Sequence, residues 1–155
     1  MVDIKVYTKE WYSLKKKTDM DIALAHREYE KLIAQSPECQ SLKKELNFHD
    51  SRLIDMRFCG DVLSVSFDIS SAASSVKEAR FTNARIITND EISAGDFWIY
   101  EELYKASDQY ELHVLFCDAA DRPKQLVFTF SEVAFSHDRE KLARQKALRE
   151  KYNLK

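Results

Sequence analysis

Apolar residues recur with a helical period up to about residue 47, and beyond about residue 52 they alternate with polar ones. In the first part, Thr8 can cap a helix over residues 9–17, with Glu10 in its first turn and Trp11, Tyr12 and Leu14 on its apolar face. Ahead of it, Ile4-Lys5-Val6-Tyr7 alternates as a short strand would. A second helix starts at Thr18 or Asp19 and carries Ile22, Ala25, Tyr29, Leu32 and Ile33 at helical spacing. Ser36-Pro37-Glu38 opens a third, because a hydroxyl cap, a proline at the first helical position and an acid beside it suit the unpaired amides there. Cys39, Leu42 and Leu46 line its inner face, and Asn47 is placed to stop it.

The clearest element of the second part is a hairpin. Ile54, Met56 and Phe58 alternate with charged residues, Cys59-Gly60-Asp61 makes the turn, and Leu63, Val65, Phe67 and Ile69 alternate with Ser64, Ser66 and Asp68. Further strands are predicted over residues 79–88, 97–104, 110–117 and 125–130, with breaks at Asn89-Asp90, Ser107-Asp108 and residues 118–123. The final stretch, residues 138–152, reads as a charged helix with a thin apolar stripe of Leu142, Ala143, Ala147, Leu148 and Tyr152. The expected architecture is a single α+β domain spanning residues 1–155. Its helical part, about 8–47, packs on an antiparallel meander sheet of about six strands within about 52–131, and a charged C-terminal helix covers about 138–152.

Composition narrows the function classes. A chain of 155 residues with 45% hydrophobic and 12% aromatic content can hold a core without a metal or disulfide. A net charge of −2 gives no overall pull towards nucleic acid or an anionic membrane. With only two glycines, the chain lacks the material for a Gly-rich phosphate loop, so no nucleotide cofactor is expected. The three cysteines, Cys39, Cys59 and Cys117, form no Cys-x-x-Cys pair and fit reduced thiols in a cytoplasmic protein. Met1-Val2-Asp3-Ile4-Lys5 lacks the apolar core of a leader, and no apolar run is long enough to cross a membrane.

The segment His49-Asp50-Ser51, where the period changes, is the first candidate site. An imidazole beside a carboxylate is raw material for acid–base chemistry, although consecutive residues of an extended chain diverge and do not make a triad. The plainer account is a helix-to-strand corner in which Asp50 or Ser51 accepts backbone amides and His49 is partly buried with one ring nitrogen bonded. Cys39, His49, Cys59, His113 and Cys117 are the metal-ligand candidates, but they lack the close-spaced pairs of a structural zinc site, so no metal is expected. A second candidate is a binding surface on one strand face, made of Trp98, Tyr100, Glu102 and Tyr104. The basic residues of the terminal helix, from Arg139 to Lys151, have no interleaved aromatics and read as a solvated face rather than a nucleic-acid site.

Tyr7-Thr8-Lys9-Glu10-Trp11-Tyr12, Phe48-His49-Asp50-Ser51, Trp98-Ile99-Tyr100-Glu101-Glu102 and Tyr110-Glu111-Leu112-His113-Val114-Leu115 together resemble the bacterial domain-of-unknown-function family 4085, over residues 6 to about 130. That resemblance implies a small cytoplasmic bacterial protein with no assigned activity and no catalytic residues to carry over. The His-Asp-Ser corner more loosely resembles one in small bacterial α+β proteins of immunity type that bind a partner. Expected first is therefore a non-enzymatic protein-interaction module, immunity-like or regulatory, with a protein partner or a homodimer through an edge strand. The alternative is a small-ligand binder or hydrolase-type enzyme, with His49 and Asp50 converging with Glu102 or His113 on a pocket.

Overall fold

Local capping explains the helices. The structure, a computed structural model, describes residues 6–13 and 18–153. Helix α1 is Lys9–Ser13, and the Thr8 hydroxyl accepts the Trp11 amide at 3.0 Å. The remainder of the expected first helix, residues 14–17, lies outside the described residues. So do Ile4 and Lys5 of the expected first strand, while Val6 and Tyr7 form a bend and not a strand. Helix α2, Asp19–Ile33, begins with a reciprocal capping box between Thr18 and Asp21 and buries Ala25, Tyr29 and Ile33. Helix α3, Pro37–Lys43, starts from Ser36, whose side chain accepts the Cys39 amide; it ends four residues before the expected stop at Asn47. Helix α4, Arg139–Lys151, is capped by Asp138 and buries none of its residues.

Eight strands follow α3, not about six. They are β1 (Ser51–Cys59), β2 (Val62–Asp68), β3 (Val76–Thr82), β4 (Arg85–Asn89), β5 (Phe97–Ala106), β6 (Gln109–Cys117), β7 (Pro123–Phe130) and β8 (Glu132–His137). Two differences account for the count. The single strand expected over 79–88 is broken at Asn83, which takes a left-handed φ of 59°, and β8 lies in a stretch to which the sequence pattern assigns no element. Asparagine tolerates that conformation better than most residues, which lets the chain turn there without glycine.

The strand order β4-β7-β6-β5-β1-β2-β3-β8 is also not a simple meander. It consists of two halves, β1-β2-β3-β8 and β5-β6-β7-β4, each built from three consecutive strands and one visitor. At one corner the halves join through Ser51 opposite Trp98 and Arg52 opposite Phe97. At the other corner the chain itself crosses twice, from β3 to β4 and from β7 to β8. There the β3–β8 ladder ends at Thr82 opposite Glu132, the β4–β7 ladder begins at Arg85 opposite Thr129, and the Ser131 amide bridges to the Thr82 carbonyl at 3.0 Å.

Between the halves lies a densely aromatic core. Phe67, Phe81, Trp98, Phe116, Phe128 and Phe130 are at most 3% exposed, and Phe81 meets Phe128 and Phe130 edge-on at 4.8 and 4.9 Å. Phe48, fully buried ahead of β1, stacks on Phe67 at 5.0 Å and meets Trp98 edge-on at 4.8 Å. Edge-on and offset aromatic pairs add to the stabilisation from burial alone. Strand β6 is buried on both faces from Glu111 to Cys117, because its outer face is covered as well. Helix α1 packs near β7, and α2 and α3 near β5. Helix α4 is held instead through polar contacts: the Lys141 ammonium donates to the carbonyls of Ile69 and Ala72, and the Gln145 amide to that of Ala73.

Candidate functional site

After Trp98, β5 no longer pairs with β1, and side chains bond to the backbone groups left free on that edge. The Leu103 amide donates to the Tyr29 hydroxyl at 3.0 Å, and His49 Nδ1 donates to the Ile99 carbonyl at 2.5 Å. In the space between this edge and the helices is a cleft of about 220 Å³, lined by Tyr7, His26, Tyr29, Glu30, Lys43, His49, Ile99, Tyr100 and Glu101. Tyr100 is the hub. Tyr7 and His49 stack on it with centroids at 4.7 and 5.2 Å, and His26 meets it edge-on at 5.3 Å.

The hydrogen bonds assign most of the protons. The Ile99 carbonyl can only accept, so His49 Nδ1 carries hydrogen, and Nε2 lies 3.4 Å from the Asp50 carboxylate. The Tyr7 hydroxyl is 2.6 Å from His26 Nδ1. Burial first, and then the charge of Glu101, holds Tyr7 well above the usual phenol range, so its hydroxyl stays protonated and donates. Burial, reinforced by the neighbouring His49 and Lys43, lowers the pKa of His26, which favours a neutral ring with its proton on Nε2. Lys43 pairs with Glu30 and sits 5.0 Å from the centre of the Tyr29 ring. Glu101 is the unusual group: its carboxylate accepts the Trp98 indole N–H at 3.1 Å, yet burial pushes its pKa up to about 7. A carboxylic acid that titrates near neutrality can give or take a proton under ordinary conditions.

Of the expected site residues, the structure brings only His49 and Tyr100 into this cleft. Asp50 stands beside His49 in a left-handed conformation with φ of 65°, outside the cleft. At this corner it is the backbone amides of the two residues that bond. The Asp50 and Ser51 amides donate to the carbonyls of Trp98 and Phe48, while the buried Ser51 Oγ has no hydrogen-bond partner among the described residues. The expected face of Trp98, Tyr100, Glu102 and Tyr104 is corrected by a bulge. Trp98 stands opposite Phe116 and Tyr100 opposite Leu115, so the extra residue, Ile99, puts Trp98 on the opposite face from Tyr100. Trp98 is 1% and Glu102 0% exposed, which leaves no shared surface of the four.

Glu102 and His113 face each other across β5 and β6 in a second polar cluster, outside the cleft. Glu102 accepts the Val6 and Tyr7 amides at 3.2 and 3.1 Å and the Tyr104 hydroxyl at 2.6 Å. His113 Nε2 lies 2.8 Å from Glu111, and the His113 Nδ1 atom is buried without a hydrogen-bond partner among the described residues. The five residues weighed as metal ligands are dispersed: among the described residues, no group of three or more His, Cys, Asp and Glu side chains is arranged to hold a metal ion.

The cleft residues that sequence reasoning passed over are Tyr7, His26, Tyr29, Glu30, Lys43, Ile99 and Glu101. A signal for His26 existed. It falls four residues after Ile22 and three before Tyr29, which puts an ionisable ring on the apolar stripe of α2. Glu101 carried no such signal, because its place in the cleft depends on the bulge at Ile99 and on helices packed near the strand.

Fold and cleft together define an α+β protein with an eight-stranded antiparallel sheet in two four-stranded halves and a tyrosine–histidine–glutamate cleft at an open strand edge. The chain belongs to the family described as protein of unknown function (DUF4085), whose model matches residues 2–126. That match ends inside β7, so β8 and α4 lie beyond it. No curated protein and no solved structure matches the chain.

Proposed function

We propose that the cleft around Tyr100 binds a small polar molecule and exchanges a proton with it through Glu101. The observation that carries this reading is the convergence of His26, His49, Tyr7, Tyr29 and Glu101 on one cavity. Convergent polar groups in an apolar-walled cleft are the usual form of a binding site. At about 220 Å³ the cavity is below the roughly 300–1,000 Å³ of pockets that take drug-sized ligands, so the occupant is small. Within this reading Glu101 acts as proton acceptor or donor. His26 supplies an Nε2–H donor, and the Tyr7–Tyr100–His49 stack holds the wall rigid.

The test is protein-observed NMR with a panel of small polar molecules (carboxylic acids, amides, imidazoles, polyols). Supporting it would be shifts at Tyr7, His26 and Ile99–Glu101 that weaken in Glu101→Gln, a substitution that keeps an acceptor for the Trp98 indole. Saturable binding confined to another part of the molecule would overturn it.

A protein-interaction role is the second reading. What supports it is the exposed outer part of β1, where Ile54 and Phe58 are 54% and 46% exposed, in place of the strand face expected from sequence. A bacterial cytoplasmic setting is part of the same proposal, supported by three free cysteines, two of them buried. No helix among the described residues is long and apolar enough to cross a membrane.

A further inference from the structure

Strand β1 loses its partner on one side early. Its ladder with β5 consists of Ser51 opposite Trp98 and Arg52 opposite Phe97, and Leu53 exchanges backbone bonds with Gly95 and Asp96. Ile54 is then the extra residue of a bulge, since Leu53 faces Phe67 and Asp55 faces Ser66. From Asp55 to Cys59 the strand pairs regularly with β2 on one edge, and no other strand among the described residues pairs with its opposite edge. Native edges are normally blunted by shortness, proline or inward charge, because an open row of amides and carbonyls recruits another strand. This one has five consecutive paired residues with no proline, and all but Met56 are exposed.

We propose that this edge pairs antiparallel with the same edge of a second copy of the chain, about a two-fold axis at Met56. The charge pattern selects the copy and the register. Antiparallel pairing centred on Met56 sets Asp55 opposite Arg57 of the second copy, twice over, and brings each half-exposed Phe58 abreast of the other copy's Ile54. Shifting the axis to Asp55 or to Arg57 would set like charges directly opposite each other, which is unfavourable. In the isolated chain Asp55 and Arg57 lie 3.7 Å apart, both largely exposed, so pairing exchanges one intrachain contact in each copy for two between the copies. Self-complementary contacts of this kind close as a two-fold dimer and do not propagate. Met56, unbranched and adaptable, can meet its own copy at the axis.

The test is sedimentation equilibrium and light scattering of the full chain from micromolar to millimolar concentration, beside three charge variants at these exposed positions. The unmodified chain is expected to dimerise with concentration. Asp55→Arg and Arg57→Asp, each measured alone, set like charges opposite and are expected to stay monomeric. Asp55→Arg/Arg57→Asp is expected to recover the dimer, and an equimolar mixture of the two single variants to form a heterodimer. Circular dichroism checks that each variant is folded. A chain that stays monomeric throughout, or a dimer indifferent to the single charge reversals, overturns the proposal.

Discussion

The amide of Tyr7 donates to Glu102 Oε2 at 3.1 Å, joining the start of the described chain to β5 across 95 residues. Beside it, the Val6 amide meets Oε1 of the same carboxylate at 3.2 Å. The Tyr7 ring then stacks on Tyr100, two residues before Glu102 and on the same strand. A buried carboxylate that lines no part of the cleft thus positions one of its walls. Its burial is tolerable because its oxygens are engaged by donors, including the Tyr104 hydroxyl.

Replacing Glu102 by alanine should therefore both destabilise the protein and release the Tyr7 segment. Buried donors that lose an acceptor cost about 1–3 kcal/mol each, so a total loss of at least about 3 kcal/mol is expected in urea denaturation. Hydrogen exchange at the Val6 and Tyr7 amides should accelerate more than exchange in β6. Equal acceleration throughout would mean the carboxylate has no special hold on that segment.

Glu101 should leave a signature in the pH dependence of stability. Its folded pKa is raised from 4.5 to about 7, so the folded state binds more protons between those values. Stability from this group is full below about pH 4.5 and is lost as pH rises through about 7, on the order of 3 kcal/mol in all. Glu101→Gln removes the titration. The stability of the variant relative to the unmodified protein should climb from pH 4.5 to 7 and then level off, as read by denaturant midpoints at each pH.

Tyr29→Phe deletes only the hydroxyl that accepts the Leu103 amide at the open edge of β5. The amide is buried there, so a cost of about 1–2 kcal/mol is expected from chemical denaturation. Exchange of the Leu103 amide itself should lose protection beyond the global effect.

The corner at His49 and Asp50 separates into two tests. His49→Ala removes a ring that is half exposed but stacked and bonded to the Ile99 carbonyl, and should cost about 1 kcal/mol. Asp50→Gly relieves a positive φ, and should stabilise by up to about 1 kcal/mol, whereas Asp50→Val should destabilise by about 1–2 kcal/mol. Thermal unfolding of the three variants side by side would rank them, and a stabilising valine would contradict the assigned conformation.

How much of this was readable in the chain depended on the range of the cause. Thr8, Thr18, Ser36 and Asp138 announce helix starts because each cap is satisfied by an amide three residues on. The β1–β2 hairpin was equally plain, since alternation on both sides of Gly60 specifies its pairing. By contrast, the kink at Asn83 interrupts a stretch whose pattern reads as continuous strand, and only the partner strands require the turn there. Strand β8 is not legible from local pattern because it forms a ladder with β3, fifty or more residues earlier in the chain.

The candidate site was legible in part for the same reason. His49 and Tyr100 were marked out by residue type and position, but the partners that give them a setting come from α2, α3 and the first described residues. The grouping of Trp98 with Tyr100, Glu102 and Tyr104 assumed an unbroken alternation, and one bulged residue reversed it.

By itself, the sequence determined which segments are helical, where those helices begin, and that a hairpin opens an antiparallel α+β arrangement. Those outcomes rest on contacts within a few residues, where side-chain type and spacing are the whole cause. The tertiary structure decided how eight strands divide into two halves, which face of β5 is buried, and that two histidines, three tyrosines and two glutamates share one cleft. Those outcomes depend on strand register and on which surfaces the helices cover, and both are settled by packing between residues far apart in the chain.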